Sequence, residues 1–111
     1  MNEYFKEKQM MPKYLPYPEF LLQTPISHTA RETYALLLSR TTLSQQNGWT
    51  DKNGHVFVIY PVAELAKDLG CSEMTVKRAL KELDKADLIE RQRRGFDKVN
   101  FIFPKLPTEQ N

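Results

Sequence analysis

The sequence predicts an α+β fold, a winged helix-turn-helix with three main helices, a short β-hairpin before the helix-turn-helix and a C-terminal β-wing. Three observations carry that expectation. Val62, Leu65, Ala66 and Leu69 recur at i, i+3, i+4 and i+7, and Val76, Ala79, Leu80 and Leu83 repeat the spacing, giving two short helices with one apolar face each. Gly70-Cys71-Ser72 separates them, a glycine-containing turn of the length that joins the helices of a helix-turn-helix. Behind the pair, Leu88-Ile89-Glu90-Arg91-Gln92-Arg93 and Lys98-Val99-Asn100-Phe101-Ile102-Phe103 flank a turn around Arg94-Gly95-Phe96-Asp97, the layout of a β-hairpin wing.

The rest of the chain is bounded by length and composition. Its 111 residues suffice for one core and not for two. With 41% hydrophobic and 27% charged residues it has the composition of a water-soluble globular chain. No apolar run approaches the roughly 20 residues that cross a bilayer, so no membrane role is expected. Met1-Asn2-Glu3-Tyr4-Phe5-Lys6-Glu7 has no signal-peptide layout, which points to the cytoplasm. A single cysteine excludes an internal disulfide and a cysteine-based zinc site. The net charge of +2 is too small to name a partner, so the argument rests on where the charges sit.

Taken in order, residues 1–26 read as an extended N-terminal arm. Pro12, Pro16, Pro18 and Pro25 interrupt any long helix. Tyr4, Phe5, Met10, Met11, Tyr14, Leu15, Tyr17, Phe20, Leu21 and Leu22 are too apolar for a disordered tail, so the arm is expected to pack on its own domain or on a second subunit. The winged domain spans residues 27–104. Its first helix is capped by Ser27 or Thr29, the latter in capping-box spacing with Glu32. Ala30, Tyr34, Leu37, Leu38 and Thr41 line one face, while Leu36 and Leu43 lie off it and predict cover on a second side. The helix should stop near Asn47-Gly48. Asp51-Lys52-Asn53-Gly54 then signals a tight turn, and His55-Val56-Phe57-Val58-Ile59-Tyr60 a strand that would pair with the wing. Pro61 suits the first turn of the next helix, Gly70 the left-handed position past its end, and Ser72 the cap of the third.

With Val76, Ala79, Leu80 and Leu83 turned inward, the 100° step of a helix points Met74, Arg78, Lys81 and Lys85 outward. Recognition helices offer their first turns to base edges in the major groove, which assigns Ser72, Glu73, Met74, Thr75, Lys77 and Arg78 to base contact. Arg78 suits a bidentate contact to guanine, Glu73 a cytosine amine, and Met74 or Thr75 a thymine methyl. Lys81 and Lys85 fall where phosphate contact is expected. In the wing, Arg91, Arg93, Arg94 and Lys98 outnumber Glu90 and Asp97 and are expected on phosphates or in the minor groove. The plainer readings are a solvated face whose lysines pair with Glu73, Glu82 and Asp84, and a charged sheet edge that discourages aggregation. His28 and His55 have no ligand-like neighbours, so neither a metal nor any other cofactor is expected. Cys71 reads as a small residue of the turn and Trp49 as a packing residue. No nucleophile motif, phosphate loop or carboxylate pair stands out, and no enzyme is expected.

Three stretches, Tyr34-Ala35-Leu36-Leu37-Leu38-Ser39-Arg40, Asn47-Gly48-Trp49-Thr50-Asp51-Lys52-Asn53-Gly54 and Leu80-Lys81-Glu82-Leu83-Asp84-Lys85-Ala86-Asp87-Leu88-Ile89-Glu90-Arg91, resemble the replication initiator RepA N-terminal family of theta-replicating plasmids from Gram-positive bacteria, staphylococci among them. The Asn-Gly-Trp segment discriminates, because ordinary winged-helix repressors lack it. One departure is Asp87, where such proteins carry glycine; aspartate accepts left-handed backbone, so the turn is expected to survive. The resemblance implies binding to repeated double-stranded DNA sites (iterons) in a plasmid origin, as a homodimer or larger assembly. It also implies a separate C-terminal domain that recruits host replication proteins, with residues 105–111 as the start of the linker. Two rival readings are a transcriptional regulator on a palindromic operator and a winged helix used only for protein contact.

Overall fold

The computed structural model describes residues 2–94 and 99–107, with the backbone alone at Arg93, Arg94, Val99 and Asn100. Three helices, α1 (His28–Gln46), α2 (Val62–Leu69) and α3 (Glu73–Lys85), pack around one core against a sheet of β1 (Val58–Ile59), β2 (Ile89–Arg94) and β3 (Val99–Pro104). Sheet order is β1-β3-β2, antiparallel throughout, with Val58 opposite Ile102 and Ile89 opposite Pro104. The expected winged helix-turn-helix is therefore present. The strand ahead of the helix-turn-helix does pair with the wing, although only Val58 and Ile59 join the ladder where a run from His55 to Tyr60 was expected.

Both amphipathic helices turn inward as their spacing requires. Leu65 and Ala66 of α2 and Val76, Ala79, Leu80 and Leu83 of α3 are buried with Tyr34 and Leu37 of α1. Alternation along β1 and β3 sends Val58 and Ile102 into the core. The other sheet face carries Phe57 flat against Phe101 at 4.4 Å between ring centres, with Trp49 stacked on Phe57 at 6.2 Å. Trp49 thus packs, as expected, but at the rim of an outer aromatic stack and 40% exposed. The turn that follows Trp49 closes through Gly54 N–H to the Asp51 carbonyl, and Gly54 takes the left-handed φ of 82°.

Ser27 caps α1, its Oγ accepting from Ala30 N–H. Thr29, the other expected cap, in box spacing with Glu32, lies inside the helix; Glu82 of α3 reaches across and accepts from the Ser27 N–H at 2.9 Å and the Ser27 hydroxyl at 2.7 Å. Those two bonds hold the Glu82 carboxyl below its usual pKa. Of the two residues off the main stripe of α1, Leu36 packs on the core while Leu43 is 52% exposed, so the second cover does not reach the last turns of the helix. The arm divides. A short 3₁₀ turn at Glu19–Gln23, not foreseen as a helical element, seats Leu21 in the core and Phe20 edge-on against Tyr34 at 5.8 Å. Ahead of it, Tyr4, Phe5, Met10, Met11 and Tyr14 are all more than two-thirds exposed.

Candidate nucleic-acid interface

The turn between α2 and α3 sets the interface. Gly70 takes φ 69°, where a side chain would be strained, and the Gly70 and Cys71 N–H groups donate to Lys67 and Ala66 carbonyls to finish α2. Ser72 then caps α3 by accepting from Thr75 N–H at 3.1 Å, and its hydroxyl lies 2.9 Å from that of Thr75. Glu73, Met74, Lys77, Arg78, Lys81 and Lys85 are exposed, and Thr75 is half-buried beside the cap. The six residues expected at the bases, Ser72, Glu73, Met74, Thr75, Lys77 and Arg78, do share the first turns of one solvent-facing helix.

Electrostatics separate this face from a merely solvated one. Of the three acids that a solvated face would use, two are engaged elsewhere: Glu82 holds Ser27, and Asp84 accepts both the Nε and an Nη of Arg91 through one oxygen, while Glu73 stays exposed in the first turn of α3. Among the described residues, Lys77, Arg78, Lys81 and Lys85 form no ion pair, so the exposed face of α3 carries four cations against the one exposed acid, Glu73.

Arg91, expected on DNA, is half-buried and its guanidinium is committed to Asp84, tying the first strand of the wing to α3. Sequence reasoning missed Asp84 as a positioning residue. The available signal was an acid and an arginine seven residues apart across the turn into β2. That turn contains Asp87 at φ 59°, so aspartate does take the left-handed position. Its carboxylate pairs with Lys105 and helps keep that lysine above its usual pKa. Lys105 also donates its N–H to the Leu88 carbonyl and accepts from the Tyr34 hydroxyl, so the chain stays attached one residue beyond the expected boundary at 104. Arg93 and Arg94 stand in β2 opposite Asn100 and Val99; Lys98, with Gly95, Phe96 and Asp97, lies outside the described residues.

Behind the helix-turn-helix, Tyr60 fastens α1 to α2. Its hydroxyl donates to Asp68, and the Arg40 guanidinium lies 4.0 Å from its ring centre. Burial, with the Asp68 bond second, pushes the Tyr60 hydroxyl up to about 12. Among the described residues no group of histidines, cysteines and carboxylates is arranged to hold a metal ion, and no helix is long and apolar enough to cross a membrane.

Helix, turn, capped recognition helix and paired wing strands define a winged-helix protein. The chain belongs to a family of replication initiators, replication initiator protein A (RepA) N-terminus, whose sequence pattern it matches over residues 9–110. A solved structure described as the N-terminal domain of a DNA-binding protein is similar at 24% identity and TM-score 0.76, covering 99% of this chain and 88% of that one. A structure of a Rep–DNA complex is similar at 23% identity and TM-score 0.75, covering 98% and 88%. A structure described as an MDR initiator is similar at 28% identity and TM-score 0.73, covering 88% and 80%. A search of curated proteins by sequence returned no match.

Proposed function

We propose that this chain binds double-stranded DNA sequence-specifically at repeated sites (iterons) of a plasmid origin, as the DNA-reading part of a replication initiator. The recognition helix α3 enters the major groove. Arg78 and its neighbours Ser72, Glu73, Met74, Thr75 and Lys77 meet base edges, and Lys81 and Lys85 meet phosphates. Arg93, Arg94 and Lys98 of the wing meet the backbone or the minor groove, while Arg91 holds the wing on α3 through Asp84. The observation that carries this reading is the basic surplus on the exposed face of α3, where Glu82 and Asp84 are engaged in framework contacts and four cations form no ion pair. Membership in an initiator family and likeness to a protein solved in a Rep–DNA complex support it.

The module works in the cytoplasm as a homodimer and without catalysis. Recruitment of host replication proteins falls to a C-terminal domain beyond the linker. Fluorescence anisotropy on duplexes tiled across a plasmid origin, at two salt concentrations and with random DNA as competitor, tests the proposal. Selective, salt-sensitive binding to the repeats is the expected result. Selective binding to a promoter palindrome instead means a transcriptional regulator, and no binding at low salt means a module for protein contact.

A further inference from the structure

We propose that Glu73 makes the grip of α3 on DNA selective by repulsion. Its carboxylate holds the basic face off duplexes that offer no exocyclic amine at its place in the major groove, and accepts from cytosine or adenine where one is present. The inference rests on the DNA reading above and adds the source of its selectivity. Glu73 is the one exposed acid on a face that carries Lys77, Arg78, Lys81 and Lys85. None of these cations forms an ion pair among the described residues. Even Lys77, one turn on and at the spacing where glutamate and lysine attract, does not close on Glu73. The carboxylate is therefore not neutralised within its own helix.

Its position gives that charge two consequences. Ser72 receives the Thr75 N–H on its hydroxyl and the Val76 N–H on its carbonyl, and the N–H groups of Glu73 and Met74 stand at the positive end of the helix. Such an end attracts any phosphate whatever the sequence, and a carboxylate beside it opposes that. Glu73 also lies within about 20° of Asp84 around the helix, and Asp84 holds Arg91 of β2, so Glu73 is on the flank of α3 turned to the wing. With α3 in the major groove and the wing on the backbone, the phosphate strand that bounds the groove runs along that flank. A carboxylate there is repelled by every duplex, and only an amine on a base edge offsets the repulsion. The four cations bind any duplex; Glu73 makes the binding conditional on sequence.

Fluorescence anisotropy of the whole chain on two probes tests this: the duplex it selects from a random-sequence pool, and a scrambled duplex of the same composition. Glu73→Gln removes the charge and keeps the length, whereas Glu73→Asp keeps the charge and shortens the reach. Glu73→Gln is expected to bind the scrambled duplex about threefold tighter, with a salt slope steeper by about one. Its ratio of selected to scrambled affinity should fall roughly tenfold. Glu73→Asp should leave the scrambled duplex unchanged and lose affinity for the selected one. Single base-pair changes in the selected duplex should then locate a cytosine or adenine to which the wild type is sensitive and Glu73→Asp is not. A Glu73→Gln chain whose two affinities are unchanged, or fall alike, overturns the proposal. If its thermal midpoint also drops, Glu73 serves the helix end alone. A wild-type chain that binds at low salt yet selects no duplex is a separate failure, that of the sequence-specific reading, and this inference falls with it.

Discussion

The two halves of α3 make opposite use of their side chains. In the second half, Leu83 fills the core, Glu82 closes the N-terminus of α1, and Asp84 grips the wing through Arg91. In the first half, Glu73, Met74, Lys77 and Arg78 project into solvent without internal partners among the described residues. The difference teaches how a small domain can present a reading surface without distortion. One end of the helix is anchored to the core, α1 and the wing, so the other end keeps a fixed direction with the side chains of Glu73, Met74, Lys77 and Arg78 in solvent.

The sharpest way to break that contrast is to truncate one residue in each half. Leu83→Ala should destabilise the fold by about 3 kcal/mol, since a fully buried leucine leaves both lost transfer energy and a cavity. Met74→Ala, on a side chain that is 59% exposed, should stay within about 0.5 kcal/mol in the same denaturant titration. Next in size, Arg78→Ala should leave stability unchanged and cost about 2 kcal/mol on the preferred DNA site, relaxing base preference. Equal losses on preferred and random duplexes would assign Arg78 to phosphate instead. Asp84→Ala should cost about 1 kcal/mol of stability, because the pair with Arg91 is only partly buried. It should also weaken binding to all duplexes alike by misplacing the wing.

Smallest is a pH effect from Glu82. Its carboxyl is held below the ordinary value of 4.5 by the two bonds from Ser27, so the folded state binds the proton less readily than the unfolded chain. The stabilisation is therefore complete above about pH 4.5 and is lost as pH falls through the lowered folded value. Glu82→Gln should remove that part of the acid sensitivity, read as a flatter dependence of thermal midpoint on pH. An unchanged slope between wild type and variant would deny Glu82 its hold on Ser27, the cap of α1.

Legibility followed the range of the interactions. The inward faces of α2 and α3, the Gly70 turn, the Ser72 cap and the left-handed Asp87 all depend on neighbours within a turn or two, and the structure has each of them. Thr29 and Glu32 fitted a local capping box, yet Ser27 is the cap, and packing of α3 against α1 brings it the carboxylate of Glu82, 55 residues along the chain. Arg91 looked like a wing cation because the count of charges could not reveal that Asp84 would face it. The short turn at Glu19–Gln23 hid among prolines, since it is held by Leu21 reaching the core and not by any helical periodicity of its own.

The sequence by itself determined the turn between α2 and α3, the cap of α3 and which face of α2 and α3 is apolar, because periodicity, caps and turn residues act over a few neighbouring positions. Tertiary structure alone decided which charges are spent on the framework and which remain for a partner. It also decided which apolar residues of the arm find the core. Both outcomes depend on distances between segments far apart in the chain, and no local pattern encodes those distances.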